Sequence, residues 1–335
     1  MTKPLRWGVL GAARIALQKV IPGMQRGRLC DVGALASRDR AKAEEAARKL
    51  GIPRAYGSYE ELLADPEIDA VYNPLPNHLH VPWSIRALEA GKHVLCEKPI
   101  ALSVEEAEAL VRARDRSGRH VQEAFMVLTH PQWLGVRDAL RSGRIGALRS
   151  IATCFSYFNE DPANVRNVAE FGGGGLFDIG CYPVMLSRFL FATEPRRVAA
   201  CLDIDPRFGV DRLASAVLEF EAGHSVFTCS TQAAAYQRVQ LVGTLGRLEV
   251  EVPFNAPPDR ETRVFLDDGR GRIETLSFDA CDQYAVQGDA FSAAILEGRQ
   301  LPIPIEDSVS NTRVIAALFR SAKSGTWEAP LSATD

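Results

Sequence analysis

Over its first third the chain alternates short apolar runs with amphipathic stretches of helical period. Leu5 to Leu10 form a brief apolar run that turns at Gly11 into a segment with small residues at its start. "CDVGALASR" reads as a second buried strand, and the helical run "DRAKAEEAARKLG" after it is closed by Gly51. "AYGSYEELLADPEIDAVYNPLP" gives a short helix and then the strand "DAVYN". "HVPWSIRALEAGKHVLCEKP" and "VEEAEALVRARDRSGRHVQEAFMV" each run from helix to strand. This alternation predicts a doubly wound parallel α/β sheet, a nucleotide-binding domain over residues 1–125.

The period then changes. "LRSIATCFSYF", "RVAACLDI", "ASAVLEFEAGHSVFTCSTQ", "RVQLVGTLGRLEVEV" and "TRVFLDD" are strand candidates in close succession, with "EAGH" and "GTLGR" as hairpin turns. They predict an antiparallel sheet in a second α+β domain, residues 126–335. One face suits packing on helices and the other a second subunit, so a homodimer or homotetramer is expected. A final amphipathic helix, about 305–323, is expected to pack back toward the first domain. One stretch resists this reading: "EFGGGGLFDIGCYPV", where four glycines lead into Asp178 and Tyr182. Such a run is costly in chain entropy.

Composition narrows the class. The chain has 335 residues, 46% hydrophobic and 24% charged, as in an ordinary two-domain globular protein. A formal net charge of −3 speaks against a nucleic-acid surface. The seven cysteines are scattered and form no CxxC pair, and no histidine joins cysteine or carboxylate at metal spacing. Reduced thiols, no metal and a cytoplasmic location are expected. No signal-peptide pattern and no membrane-length apolar run is present.

In a doubly wound sheet, ligands lie beyond the carboxyl ends of the strands. After the first strand, Gly11, Ala12, Ala13, Arg14 and Ile15 open a helix whose N–H groups suit a phosphate, although the GxGxxG pattern is broken to Gly11, Ala13 and Ala16. A plain strand–turn–helix corner is the other reading. After the second strand, Ser37 and Arg38 replace the usual acidic residue and suit the 2′-phosphate of NADP. Asp39, one position on, is the alternative ribose ligand, and NAD then the alternative cofactor. The loop "NPLPNHLH" offers Leu75, Asn77 and His80 near the nicotinamide ribose, with helix capping as the competing role for Asn77. Glu97 and Lys98 follow the next strand and face the same crevice.

Taken together, "WGVLGAARIA", "PLPNHLH", "AGKHVLCEKPIAL" and "GGGGLFDIGCYPV" resemble the glucose–fructose oxidoreductase / inositol dehydrogenase (Gfo/Idh/MocA) family in order and spacing. The resemblance implies a Rossmann domain followed by a domain with a large, mostly antiparallel open sheet, commonly the oligomer interface. It also implies that Lys98 is the active-site lysine. Many members carry a histidine where this chain has Tyr182; a tyrosine there is similar to the branch of NADP-dependent D-xylose dehydrogenases and dimeric dihydrodiol dehydrogenases. Val127 and Leu128 depart from an aromatic–basic pair common in that branch.

Hydride transfer between an alcohol carbon and nicotinamide requires a group that takes or returns the hydroxyl proton. Tyr182 is the candidate for that role, with Lys98 as its electrostatic partner and Asp178 as acceptor for a substrate hydroxyl or, alternatively, a helix cap. Arg166, His130 and Tyr284 are candidate substrate contacts, with a surface ion pair as an equal alternative for Arg166 and a hydrogen-bonded structural role as the commoner one for His130. The expected activity is an NAD(P)-dependent dehydrogenase of sugars or polyols. A dihydrodiol dehydrogenase, a keto-sugar reductase and a catalytically silent dinucleotide-binding regulator are the competing readings.

Overall fold

The computed structural model describes residues 3–330. The chain divides into two compact units, the first from residues up to 101, 105–130 and 281–308, the second from 102–104, 131–280 and 309 onward.

The first unit holds the expected parallel sheet. Its strands are β1 (Leu5–Leu10), β2 (Cys30–Ala36), β3 (Arg54–Tyr56), β4 (Ala70–Asn73), β5 (His93–Cys96) and β6 (Val121–Glu123). They lie in the order β3-β2-β1-β4-β5-β6, every pair parallel. β4 and β5 are buried at every position, which is why residues 70–72 and 94–96 read as apolar runs rather than as alternation. Strand order reverses between β1 and β4, and that reversal opens a crevice at their carboxyl ends.

The helices of this unit are α1 (Ile21–Arg26), α2 (Arg40–Leu50), α3 (Tyr59–Leu63), α4 (His80–Glu89) and most of α5 (Val104–Ser117). A five-residue π-helical turn, Ala16–Val20, precedes α1. Asp39 caps α2 by accepting the Lys42 N–H (3.3 Å), and Gly51 ends it in the left-handed conformation at φ +66°.

The second unit begins with α6 (Pro131–Arg141) and contains α7 (Cys181–Phe191). Its strands are β7 (Leu148–Phe158), β8 (Arg197–Ile204), β9 (Asp211–Glu219), β10 (His224–Ser230), β11 (Gln232–Gly243), β12 (Arg247–Val250), β13 (Thr262–Asp267) and β14 (Ile273–Phe278). The sheet order is β14-β13-β12-β11-β7-β10-β9-β8, antiparallel throughout except for the β7–β10 pair. Both expected hairpins are present, at β9–β10 and β11–β12. Ile151, Phe155, Leu218, Phe227, Val239 and Leu241 are buried on one sheet face. That face carries α7, whose Ser187 hydroxyl donates to the Pro183 carbonyl (2.6 Å) and lies 2.7 Å from the Ser225 hydroxyl.

Two helices follow the sheet, α8 (Gln283–Leu296) and α9 (Ile305–Ser324). α8 belongs to the first unit although it lies far along the chain. Asp282 caps it through the Tyr284 N–H (2.8 Å). Asp289 accepts the N–H groups of Arg28 (2.9 Å) and Leu29 (2.8 Å), and the Trp7 indole donates to Ser292 (3.1 Å). Trp7 is fully buried and packs on Phe291 at 5.2 Å.

Candidate active site

A dinucleotide at the carboxyl edge of a parallel sheet needs a turn of close approach and donors for its phosphates. Gly11 ends β1 at φ +101°, a conformation that side chains rarely adopt, and a Cβ there would lie 3.0 Å from Leu75 Cδ2. Its N–H donates to the Ala36 carbonyl (2.8 Å), so the turn is fixed to the end of β2. Ala12, Ala13 and Ile15 pack partly buried against the core below, and Arg14 bonds Gln18 (3.1 Å). At the end of β2, the Asp39 carboxylate is taken up by the α2 cap and by Lys42 (3.8 Å). Ser37 and the exposed Arg38 remain at the edge, with Arg38 acting electrostatically on Tyr59. A bare, left-handed turn ahead of a helix, followed by a hydroxyl and a guanidinium, fits a dinucleotide.

Beyond β4, the buried Asn73 holds the loop through its side chain, donating to the His80 carbonyl (3.0 Å) and to Ser84 (3.1 Å). Asn77 opens a short 3₁₀ turn, and its carbonyl accepts the His80 N–H. The buried His80 ring has Nδ1 2.7 Å from the Pro99 carbonyl and Nε2 2.7 Å from the Leu75 carbonyl. Burial lowers its pKa to about 4, so the ring is neutral and donates to one of the two. His80, expected at the nicotinamide ribose, thus braces the loop after β4 against the segment after β5.

That segment carries Glu97 and Lys98, both half-buried. Glu97 N–H donates to the Asn73 carbonyl (3.0 Å), extending the sheet, and its carboxylate accepts the Tyr72 hydroxyl (2.6 Å). Burial, followed by the Glu97 charge, holds the Tyr72 phenol far above its ordinary value. Tyr284, at the start of α8, lies in the field of the same carboxylate, and burial with that charge raises its phenol too. His130 is buried, with Nε2 3.3 Å from Cys281 Sγ, and burial lowers its pKa to about 4.

In the second unit the glycine run has a specific use. Gly173 passes so close to Arg166 that a Cβ would lie 2.4 Å from its carbonyl oxygen. Gly174 sits at φ +110°, and a Cβ there would be 2.1 Å from Asp211 Oδ1. The buried Asp211 carboxylate accepts the Leu176 N–H (2.6 Å), and the Gly175 N–H also stabilises its charge. The chain then enters a π-helical turn, Leu176–Gly180, and continues directly into α7. Pro183, the third residue of α7, lacks a backbone donor, in keeping with this irregular start.

Asp178 lies within the π turn. The helix caps are Gly175 and Gly180, so its carboxylate is available for other partners. It accepts the Tyr157 hydroxyl at Oδ2 (2.6 Å) and pairs at Oδ1 with Arg166 Nε (2.9 Å). Arg166 is therefore both an ion-pair partner and a neighbour of the candidate site. Burial and the Asp178 charge raise the Tyr157 phenol well above its ordinary value, so it stays a donor. Tyr157 was not identified from sequence; it lies 21 residues from Asp178, and only the fold joins them. Tyr182 is 5% exposed, and its ring packs on Phe155 (5.9 Å) and Phe254 (5.3 Å).

Burial pushes the Asp211 carboxyl up to about 7, against the backbone donors that favour its charge. A carboxyl raised in the fold stabilises it fully below about pH 4, and that contribution is lost as pH rises through its folded value near 7. The stability of the native protein relative to Asp211→Asn is therefore expected to fall by a few kcal/mol across that window. Urea denaturation at several pH values between 4.5 and 8 measures it; a flat difference would refute it.

Among the described residues, no group of three or more His, Cys, Asp or Glu side chains could hold a metal ion, and no helix is long and apolar enough to cross a membrane. Residues 5–125 match the oxidoreductase family with an NAD-binding Rossmann fold, Gfo/Idh/MocA, and residues 133–249 match that family's C-terminal domain. An uncharacterised oxidoreductase of Rhizobium meliloti is 50% identical, covering 97% of this chain and 98% of its own length. The D-xylose 1-dehydrogenase (NADP⁺) 2 of Haloferax volcanii is 40% identical over 96% of this chain and 98% of that enzyme. A 3-ketoreductase from Actinomadura kijaniata, solved with NADP and TDP-benzene, superposes with a TM-score of 0.89 at 33% identity, covering 95% of this chain and 98% of that one. A reversed parallel sheet with a bare glycine turn, a lysine beyond β5 and a second unit built on an open sheet agree with these matches: the chain belongs to the Gfo/Idh/MocA family of NAD(P)-dependent oxidoreductases.

Proposed function

We propose that this enzyme is an NADP-preferring dehydrogenase that oxidises an aldose or polyol at a CH–OH carbon, with the anomeric carbon of a pyranose as the leading position. The observation that carries this reading is the Tyr157–Asp178–Arg166 cluster beside Tyr182, a paired carboxylate and a phenol on one helical segment, suited to a neutral polyhydroxy substrate. The 40% identity to an NADP-linked D-xylose dehydrogenase supports the same class. Ser37 and Arg38, with Asp39 spent on the α2 cap, support the 2′-phosphate.

In this reading the bound nicotinamide supplies the hydride acceptor. Tyr182 takes the substrate hydroxyl proton during oxidation and returns it in the reverse direction. A free phenol titrates near about 10, and an adjacent ammonium favours its ionised form; Lys98 has that role. Asp178 accepts a substrate hydroxyl while Tyr157 and Arg166 hold its orientation. The first unit binds the dinucleotide and the second the sugar. The outer face of the large sheet includes the exposed Val226 and Tyr236 and a shallow depression of about 600 Å³ beside Ala152, Cys154 and Arg238. Its apolar, small-residue surface suits a second copy of the chain, in a homodimer or homotetramer. None of the seven cysteines is in a disulfide, which suits a reducing, cytoplasmic setting.

A panel of aldoses, polyols, keto-sugars and aromatic trans-dihydrodiols, read at the nicotinamide absorbance with NADP and with NAD, tests the reading. Oxidation of an aldose or polyol with NADP as the better cofactor is expected. Turnover confined to dihydrodiols, or none with any sugar, would overturn it.

A further inference from the structure

We propose that Asp211 is a positioning residue for the reaction: from the start of β9, its buried carboxylate fixes the turn that presents Asp178 and Tyr182. This rests on the reading above, which gives those two residues the chemistry. Asp211 is 3% exposed and lies across the fold from the glycine run, 35 residues beyond Leu176, whose N–H it accepts at 2.6 Å. Leu176 is the first residue of the π turn; Asp178 is the third, and Tyr182 is the second residue of α7. These residues are continuous helix, so a shift at the Leu176 amide carries through to both side chains. The carboxylate sits where a Cβ of Gly174 would be, 2.1 Å from Oδ1, and 3.3 Å from a Cβ position at Gly175. Gly174 thus has no room for a side chain beside Asp211, and Gly175 has little. Asp178 is the ionisable group of the π turn that acts on it; Cys229, from β10, lies in its field on the sheet side.

A residue that acts through another gives non-additive losses when both are altered, whereas an independent structural defect multiplies. Asp211→Asn keeps the shape and one acceptor but turns an amide N–H toward a backbone donor. Gly175→Ala tests the same contact gently, because its helical backbone (φ −68°) accepts alanine and the atoms nearest the new Cβ are those of Asp211, at 3.3 Å, and Thr231. Each variant is prepared alone and with Tyr182→Phe, and sugar kcat, sugar KM, dinucleotide affinity and Tm are measured. Asp211→Asn is expected to lower kcat by about 30-fold. Gly175→Ala should lower it several-fold, with dinucleotide affinity within about twofold in both. Adding either change to Tyr182→Phe should cost much less than it does alone, the remainder acting through Asp178. Multiplying losses, or kcat at the native level in both single variants while Tyr182→Phe is inactive, would overturn the positioning role alone. Native turnover in Tyr182→Phe itself would overturn the functional reading and this inference with it. If Asp211→Asn does not fold, the Gly175→Ala pair decides.

Discussion

Tyr182→Phe is expected to lower kcat with the best sugar donor by about 10³-fold, within the range that general acid–base catalysis supplies. Dinucleotide affinity and Tm should stay near the native values. The substitution removes one oxygen from a side chain held by Phe155 and Phe254, and the ring contacts survive it. The loss therefore reads on proton transfer rather than on packing. Steady-state kinetics with the chosen aldose, and a titration of NADPH by fluorescence, separate the two. A kcat within a few-fold of native would remove Tyr182 from the chemistry.

Lys98→Met is expected to lower kcat/KM by at least about 10²-fold, while NADP binding remains measurable. Methionine keeps the unbranched stem and takes away the charge. Glu97 keeps its bond from Tyr72 and its backbone link to Asn73, so the turn after β5 persists. The decisive readout is the pH profile. If the ammonium favours the phenolate, its removal shifts the basic-side rise of kcat/KM upward by a unit or more, equivalent to about 1.4 kcal/mol per unit. Lys98→Arg should restore part of the native profile. A loss without any shift would assign Lys98 to substrate binding alone.

Much of this architecture was legible because local pattern and burial agree. β1, β7 and β8 lie at the positions read from their apolar runs, and the two hairpin turns fix the antiparallel neighbours. β14 was missed for a physical reason: it is an edge strand whose residues alternate only between exposed and half-buried, so no fully buried apolar face marks it. β3, three half-buried residues, offers as little signal. At the site, Gly11, Lys98 and Tyr182 stand at motif positions close to strand ends or a glycine run, where sequence speaks directly. Tyr157 and Asp211 do not. Each meets its partner across 21 or 35 residues, and neither carries a local signature. The glycines were visible but their causes were not: Gly174 is crowded by Asp211, a side chain on another strand, and Gly173 by the Arg166 carbonyl.

The tie between α8 and the opening strands has a consequence for biosynthesis. Trp7, Arg28 and Leu29 leave the ribosome 260 to 285 residues before Asp289 and Ser292, which satisfy their N–H groups. The nascent nucleotide-binding half therefore carries a buried indole and two amide groups without their acceptors until translation is nearly complete. Premature termination before residue 283 should yield polypeptides that are prone to aggregate and dependent on chaperones, however complete their parallel strands.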